Sequence, residues 1–198
     1  VMDGAQIPHE CVVGFGHDEK ARLRLAEKEI YFNGAREGLL ALQVPGAHNR
    51  MNALAAYGAA RSLHIEPADI LYVLNQFEGS SRRLEEKGVF NGVKIYDDYG
   101  HHPTEVRATL AALRELHPDA TICVVFQPHQ FHRTEKLLAE FGTAFDEANT
   151  VVVPNIYEAR DSVSAQHSVS AEKLVEVLKK NGITAVNGES LEKTAEWL

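Results

Sequence analysis

The feature that most constrains the fold is a regular alternation of apolar strands and amphipathic helices in the second half of the chain. Unbroken apolar runs rich in Val and Ile predict strands at 93–96, 121–126, 150–153 and 183–186. Helical periodicity predicts helices at 103–116, 135–147, 171–180 and 189–198. Strands that are apolar throughout are typical of a parallel sheet covered by helices on both faces. We therefore expect an α/β fold, a Rossmann-like parallel sheet with flanking helices.

The first half of the chain predicts a smaller unit of strands followed by helices. Short apolar runs predict strands at 11–15, 30–32 and 39–44, with Asn33-Gly34 as a turn. Ala-rich and apolar periodicity predicts helices at 50–63 and 68–77. The polar stretch 78–81 has no periodicity and is the best candidate for a linker. The predicted domains are therefore 1–79 and 80–198.

Composition narrows the class of partner. The 198 residues are 44% hydrophobic and carry a formal net charge of −8, which disfavours nucleic acid and anionic membranes as partners. No apolar run approaches the length that spans a bilayer, and no signal peptide opens the chain, so a cytoplasmic protein is expected. Cys11 and Cys123 both lie in apolar stretches and are interpreted as buried thiols rather than a disulfide.

Two histidine-rich segments follow two of the predicted strands. They are Asp97–Pro103 and Gln127–Thr134. In parallel α/β sheets, ligands bind beyond the carboxyl ends of the strands. We therefore expect both segments to lie at one edge of the sheet and to form a site together.

The first segment begins with two adjacent carboxylates, Asp97 and Asp98. Their repulsion would be relieved by a nucleotide's Mg²⁺, an Arg or a ribose hydroxyl. Alternatively, one Asp caps backbone amides in a turn, and Pro103 begins the helix at its first position. The two roles are compatible, and one Asp is expected to take each.

The second segment joins a buried strand to the start of a helix. Backbone amides there, together with Arg133, would suit a carboxylate or a phosphate. The alternative is that Thr134 caps the helix and the histidines are solvated. A zinc site built from the four histidines is disfavoured because both Cys residues lie elsewhere, and no metal ligand is assigned.

Two further motifs are less specific. Asn49 and Asn52 share a helical face, so their amides could read the edge of a base, or Asn49 could simply cap the helix. Arg82 and Arg83 lie at the linker, where they could reach a phosphate or remain solvated surface charges.

Taken together, these segments resemble the Mur ligase family. Their order is that of the ligases that join L-alanine to UDP-N-acetylmuramate. A related ligase of cell-wall recycling, the murein tripeptide ligase, is similar in part but lacks the PH-x-(F/Y)-x-R-T pattern. The segments that carry the resemblance are PGAHNRMNALAA, FEGSSRRLE, NGVKIYDDYGHHPTEVRATLAAL, VVFQPHQFHRT and NIYEAR.

The resemblance implies ATP and Mg²⁺ as cofactors, and UDP-N-acetylmuramate and L-alanine as small-molecule partners. It implies that residues 1–79 are the end of the central ATP-binding domain and that 80–198 are most of the amino-acid-binding domain. The implied nucleotide-binding residues are Asn49 and Asn52 at adenine, Arg83 at the phosphates and Asp98 at the ribose or phosphate region. The implied residues of the amino-acid side are Tyr99, His101, His129 and Arg133, with His101 and His129 as catalytic residues.

The sequence departs from the family pattern in two respects. Gln130 stands where relatives commonly carry Arg, so the specificity for L-alanine is open. No G-x-x-x-x-G-K-[ST] phosphate loop occurs, so the chain is expected to be a piece that is inactive alone. A binding module derived from a Mur ligase, and a metal-dependent hydrolase that uses the histidine pairs, are the remaining alternatives.

Overall fold

The computed structural model describes residues 13–158 and 169–197, apart from the side chain of Trp197. The chain divides into two compact units, Val1–Ser80 and Ser81–Leu198, each of which is described by itself. The boundary predicted from the sequence lies one residue earlier. Within the described part of the chain, no helix combines the length and apolar character needed to cross a membrane.

The first unit contains a four-stranded sheet followed by two helices. The strand order is β1-β2-β3-β4, with β1 parallel to β2 and the other pairs antiparallel. Asn33 and Gly34 both have positive φ, 50° and 83°, and form the predicted turn between β3 and β4. The elements are β1 (Phe15–Gly16), β2 (Leu23–Ala26), β3 (Glu29–Phe32), β4 (Ala35–Leu39), α1 (Ala47–Ser62) and α2 (Pro67–Asn75).

Two strand predictions in this unit need correction. The strand expected at 39–44 is wrong, because β4 ends at Leu39 and the following backbone bonds to the end of α2. The Ala41 amide donates to Asn75 Oδ1 at 2.7 Å, which replaces a ladder bond. Of the strand expected at 11–15, residues 11 and 12 lie outside the described residues, and only Phe15 is in a strand.

A buried polar triad joins α1 to β4. The Tyr57 side chain is fully buried, and its hydroxyl donates to the Glu37 carboxylate. Burial, followed by this hydrogen bond, raises the pKa of Tyr57. Arg61 grips both oxygens of Glu37, with Nε 3.1 Å from Oε2 and a terminal nitrogen 3.2 Å from Oε1. The triad satisfies a carboxylate that would otherwise be buried without a partner.

The second unit confirms a parallel sheet flanked by helices, with an added hairpin. Strands β7, β8 and β9 pair in parallel in that order. Strands β5 and β6 form a separate antiparallel hairpin. The strand predicted at 93–96 corresponds to β6, so its expected place in the parallel sheet is wrong, and β5 was not predicted. The elements are β5 (Glu85–Phe90), β6 (Val93–Asp97), α3 (Pro103–Leu116), β7 (Cys123–Val125), α4 (Phe131–Lys136), α5 (Leu138–Phe141), β8 (Thr150–Val153), α6 (Ala171–Lys180), β9 (Ala185–Asn187) and α7 (Leu191–Trp197).

The helix predicted at 135–147 is wrong. Two short helices, α4 and α5, take its place, and the second ends before Gly142. At that point the backbone packs closely beside the end of α6, because a Cβ added to Gly142 would lie 2.7 Å from Asn181 Nδ2. The chain therefore turns inward here, and Phe145 is fully buried in the core of the unit.

Cys123 is not the buried residue that its apolar stretch predicts. It lies on β7, at the edge of the three-stranded sheet, and is exposed. It also lines an open cavity of about 490 Å³ between β6, α3 and β7. Partial burial there raises the pKa of its thiol. Cys11 lies outside the described residues.

The residues on either side of the unit boundary at Ser80 make close contacts, each within its own unit. On the first side, a Cβ added to Gly79 would lie 3.3 Å from Val44. On the second side, the Ser81 hydroxyl and the Arg82 amide donate to Glu85 Oε2, at 3.1 and 2.8 Å. The Arg82 amide is the main cause that lowers the pKa of Glu85 to about 2, with Lys87 and Ser81 adding to it.

Candidate functional site

The two adjacent carboxylates that follow β6 have separate partners. Both oxygens of Asp98 accept backbone amides, from Leu84 at 2.8 Å and from Gly100 at 2.7 Å. Asp97 instead pairs with the Arg82 guanidinium at 3.3 Å. Asp98 thus shapes the turn, as the capping alternative predicts, and an arginine offsets the charge of Asp97.

The start of α3 holds the first histidine pair in place. His102 is the residue that caps the helix, and Pro103 occupies its first position, as predicted. Glu105 reaches back to the amides of His101 and His102, at 2.9 and 3.1 Å. Burial alone would raise the pKa of Glu105, but these two amides and the charges of His101 and Arg83 lower it. The carboxylate therefore stays ionised 3.7 Å from His101 Nδ1.

Three of the predicted amino-acid residues form one aromatic cluster. The Tyr99 ring meets His101 and His129 edge-on, with centroid distances of 5.4 and 6.1 Å. The rings of His101 and His129 are stacked at 6.4 Å, with 26° between their planes. The two histidine segments therefore meet, as expected, although β6, the strand before the first segment, belongs to the separate hairpin and not to the parallel sheet.

Two residues that the sequence analysis did not assign to the amino-acid side complete the cluster. The Arg82 guanidinium lies over the Tyr99 ring, 4.8 Å from its centroid. Tyr157 packs against His129, with a centroid distance of 5.0 Å. Arg82 was noted only as a linker charge, and Tyr157 only as part of NIYEAR. Neither has a spacing relationship to the histidines in the sequence that could have revealed these contacts.

The protonation states of the two histidines follow from their neighbours. His101 Nδ1 lies 3.1 Å from the Tyr99 carbonyl oxygen, which can only accept, so Nδ1 carries a proton. In the neutral ring, Nε2 is then free to accept a proton. Burial, followed by the charges of His101, Arg133 and Arg82, lowers the pKa of His129. His129 is therefore neutral at pH 7.

The segment that holds Arg133 differs from its predicted geometry. Helix α4 begins at Phe131, so Gln130 and not Thr134 is the residue before it. The Thr134 hydroxyl lies one turn inside the helix and donates to the Gln130 carbonyl at 2.8 Å. Gln130 has a φ of 70°, and its backbone amide donates to the backbone carbonyl of Tyr157 at 2.9 Å. Arg133 thus lies on α4, close enough to His129 for its charge to act there.

A comparison with known families decides the identity of this unit. The family described as Mur ligase, glutamate ligase domain, matches residues 82–197. The chain belongs to the Mur ligase family. The matched region falls within the second unit and includes the aromatic cluster and α4.

Individual Mur ligases give a finer comparison. The chain is 51% identical over 155 residues to the UDP-N-acetylmuramate–L-alanine ligase of Paenarthrobacter aurescens, covering 76% of this chain and 34% of that protein. The ligase of the same name from Arthrobacter sp. is 46% identical over 154 residues, covering 76% and 33%. A solved UDP-N-acetylmuramate–alanine ligase from Thermotoga maritima is similar with a TM-score of 0.75 and 29% identity, covering 94% and 41%. The chain spans about a third of the length of the first two relatives.

The predicted nucleotide residues of this Mur ligase chain are divided between the two units. Asn49 and Asn52 lie on α1 in the first unit, where Asn49 Nδ2 donates to the Pro45 carbonyl at 2.7 Å. Asn52 is exposed. Arg83 and Asp98 lie in the second unit, and Arg83 is exposed with its charge acting on Glu105. Their nucleotide roles remain predictions.

The described part of the chain contains no preformed cluster of metal ligands. Among residues 13–158 and 169–197, no group of three or more His, Cys, Asp and Glu side chains is arranged to hold a metal ion. Binding of Mg²⁺ remains a prediction, because Mg²⁺ in nucleotide sites is commonly held by one or two carboxylates together with phosphate oxygens.

Proposed function

We propose that the full-length protein is an ATP-dependent amide-bond ligase of peptidoglycan precursor synthesis in the cytoplasm. It adds L-alanine to UDP-N-acetylmuramate through an acyl phosphate. The observation that carries the proposal is the cluster of Tyr99, His101 and His129 beside Arg133, in a chain 51% identical to a ligase named for this reaction.

The cluster and Arg133 provide separate groups for the carboxylate and for the ammonium of the amino acid. Its carboxylate needs a cation, and Arg133 offers a planar guanidinium suited to two parallel hydrogen bonds. Its ammonium must lose a proton before it can attack. A neutral His129 and the Nε2 of His101 are both able to accept that proton. Tyr99, in edge contact with both imidazoles, borders the amino-acid site.

The reaction then needs only correct placement of the amine. The neutral amine attacks the acyl phosphate carbonyl, a carbon–nitrogen bond forms, and the bond from the carbonyl carbon to the phosphate oxygen breaks. Inorganic phosphate leaves with the electron pair, and the proton from nitrogen goes to a histidine. Holding the carboxylate away from the nitrogen favours this geometry and raises the effective concentration of the amine.

The proposed nucleotide contacts are those that the resemblance implies. Asn49 and Asn52 would contact adenine, Arg83 the phosphates, and Asp98 the ribose or phosphate region. Mg²⁺ supplies charge stabilisation to phosphoryl oxygens when it is bound. The described residues offer it no cluster, so no residue of this chain is assigned to it.

The test compares Arg133→Ala with Gln130→Arg in the full-length protein, by steady-state kinetics with ATP and UDP-N-acetylmuramate saturating. Arg133→Ala should raise the KM for L-alanine by about tenfold to a hundredfold, because a charged hydrogen bond to the carboxylate is lost. Gln130→Arg should lower it by no more than about tenfold, because desolvation of the new charge offsets part of the gain.

Two outcomes would contradict the proposal. An unchanged KM for L-alanine in Arg133→Ala would remove Arg133 as the carboxylate anchor. If Gln130→Arg weakens L-alanine while it improves another amino acid, then the substrate is not L-alanine. Lys136→Ala is a matched control, since it removes another cation from the same helix.

A further inference from the structure

Tyr157 is joined to the site by its backbone. The chain after β7 and the chain after β8 come together again in a parallel bridge between His129 and Tyr157. The Gln130 amide donates to the Tyr157 carbonyl at 2.9 Å, and the Tyr157 amide donates to the Pro128 carbonyl at 2.8 Å. The two backbones are thereby fixed in register, and the two side chains are brought alongside each other.

The ring of Tyr157 then packs on the ring of His129. Their centroids are 5.0 Å apart, which is closer than the 6.4 Å between His129 and His101 or the 6.1 Å between His129 and Tyr99. Among the described residues, this is therefore the shortest aromatic contact of His129. An imidazole on a rotatable side chain needs such contacts to keep one orientation.

We propose that Tyr157 is a positioning residue of this site, whose ring fixes the plane of His129 relative to His101. The tyrosine is 50% exposed and does not belong to the hydrophobic core of the unit. Its ring therefore contributes little to the core, and among the described residues it packs on the imidazole of His129. The consequence for the reaction, slower proton transfer from the amine of L-alanine when the ring is lost, rests on the function proposed above.

The variants separate the ring from its hydroxyl. Tyr157→Phe keeps the ring, Tyr157→Leu keeps apolar volume without it, and Tyr157→Ala removes both. Tyr72→Ala is the matched control, because Tyr72 is an exposed tyrosine of the first unit, 67% exposed. Thermal unfolding of each variant checks that the fold is retained.

The first measurement is the NMR titration of His129 in this chain, which needs no ligase activity. Tyr157→Ala should raise the pKa of His129 toward its ordinary value, since the ring covers the imidazole from water. Tyr157→Phe and Tyr72→Ala should leave the pKa of His129 unchanged. Tyr157→Leu should raise it less than Tyr157→Ala does, because leucine keeps apolar volume beside the imidazole. An unmoved His129 titration in Tyr157→Ala overturns the proposal, as does an equal effect of Tyr157→Phe.

The second measurement is steady-state kinetics with L-alanine in the full-length protein, which separates kcat from the KM. Tyr157→Ala should lower kcat by about threefold to tenfold, the range that corresponds to the loss of one aromatic contact, with a smaller change in the KM for L-alanine, because Arg133 still holds the carboxylate. If the titration shifts and kcat does not, the positioning role stands and the assignment of His129 to the amino-acid site fails. The two failures are therefore distinguishable.

Discussion

At the scale of single residues, neighbouring side chains of the same type have different tasks. Asp97 forms an ion pair with Arg82, whereas both carboxylate oxygens of Asp98 accept hydrogen bonds from backbone amides. A nucleotide contact by Asp98, which remains a prediction, would use lone pairs that these amides leave free. His101 and His102 divide in the same way, since one joins the aromatic cluster and the other caps α3.

The neutral state of His129 predicts a dependence of stability on pH. Its pKa is lower in the folded chain than the value of about 6.5 expected when unfolded. The unfolded state therefore binds the proton more readily, and folding gains stability above that pH. This contribution should be lost as pH falls below about 6.5 and through the folded pKa.

The measurement is urea unfolding between pH 7.5 and pH 5 for the wild type and His129→Gln, which cannot titrate there. The wild type should lose more free energy of unfolding across this interval than the variant. Parallel curves for the two proteins would show that His129 has the same pKa in both states. An NMR titration of His129 gives the folded pKa directly.

At the scale of elements, the sequence predicts best where the signal is local. The boundaries of α3, α6 and β8 match the predicted ranges, because each has a clear apolar period and its own end signals. The hairpin β5–β6 was missed because its first strand is largely charged. Asn91-Gly92, with φ of 50° and 81°, was the available turn signal.

Prediction of the candidate site was likewise limited to local signals in the sequence. The two histidine segments could be predicted to meet, since both follow strands of one expected sheet. The contacts of Arg82 with Tyr99 and of Tyr157 with His129 could not. Each joins residues far apart in sequence and depends on a backbone register, which one sequence does not specify.

The end of α3 depends on one arginine. Arg114 donates to the carbonyl oxygens of His117, Pro118 and Ala120, at 3.3, 3.1 and 2.7 Å, and to that of Glu147 at 2.9 Å. Arg114→Ala should lower the free energy of unfolding of the second unit by about 2 kcal/mol, since these carbonyls lose a charged donor.

Arg114→Lys is the control, because it keeps the charge but cannot reach several carbonyls with one planar group. It should recover less than half of the loss in a urea titration. Full recovery by Lys would mean that charge alone matters at this position, and no loss in Arg114→Ala would mean that water replaces the guanidinium.

At the scale of the whole molecule, the two units have separate cores. One core surrounds Tyr57 and the other surrounds Phe145 and β8. Since no core residue is shared, damage in one unit should leave the other folded. The triad of Tyr57, Glu37 and Arg61 can be used to test this independence. The Glu37 side chain is only 12% exposed, so removal of its partner leaves a largely buried charge in the first unit alone.

Arg61→Ala should destabilise the first unit by about 2–3 kcal/mol, which is at or below the lower limit for breaking a fully buried ion pair, because Arg61 is partly exposed. Hydrogen exchange read by NMR should show lower protection across 23–75 and no change across 85–187. Arg36→Ala removes an exposed arginine of the same unit and should have little effect. Equal losses in both ranges would mean that the units unfold together.

The link between the units ends inside the site. Arg82, only two residues beyond Ser80, is bound to Asp97 and lies over Tyr99, while Gly79 on the other side packs against Val44. A change in the backbone at Arg82 would therefore reach the ring of Tyr99 directly, because the guanidinium lies 4.8 Å from the centroid of that ring.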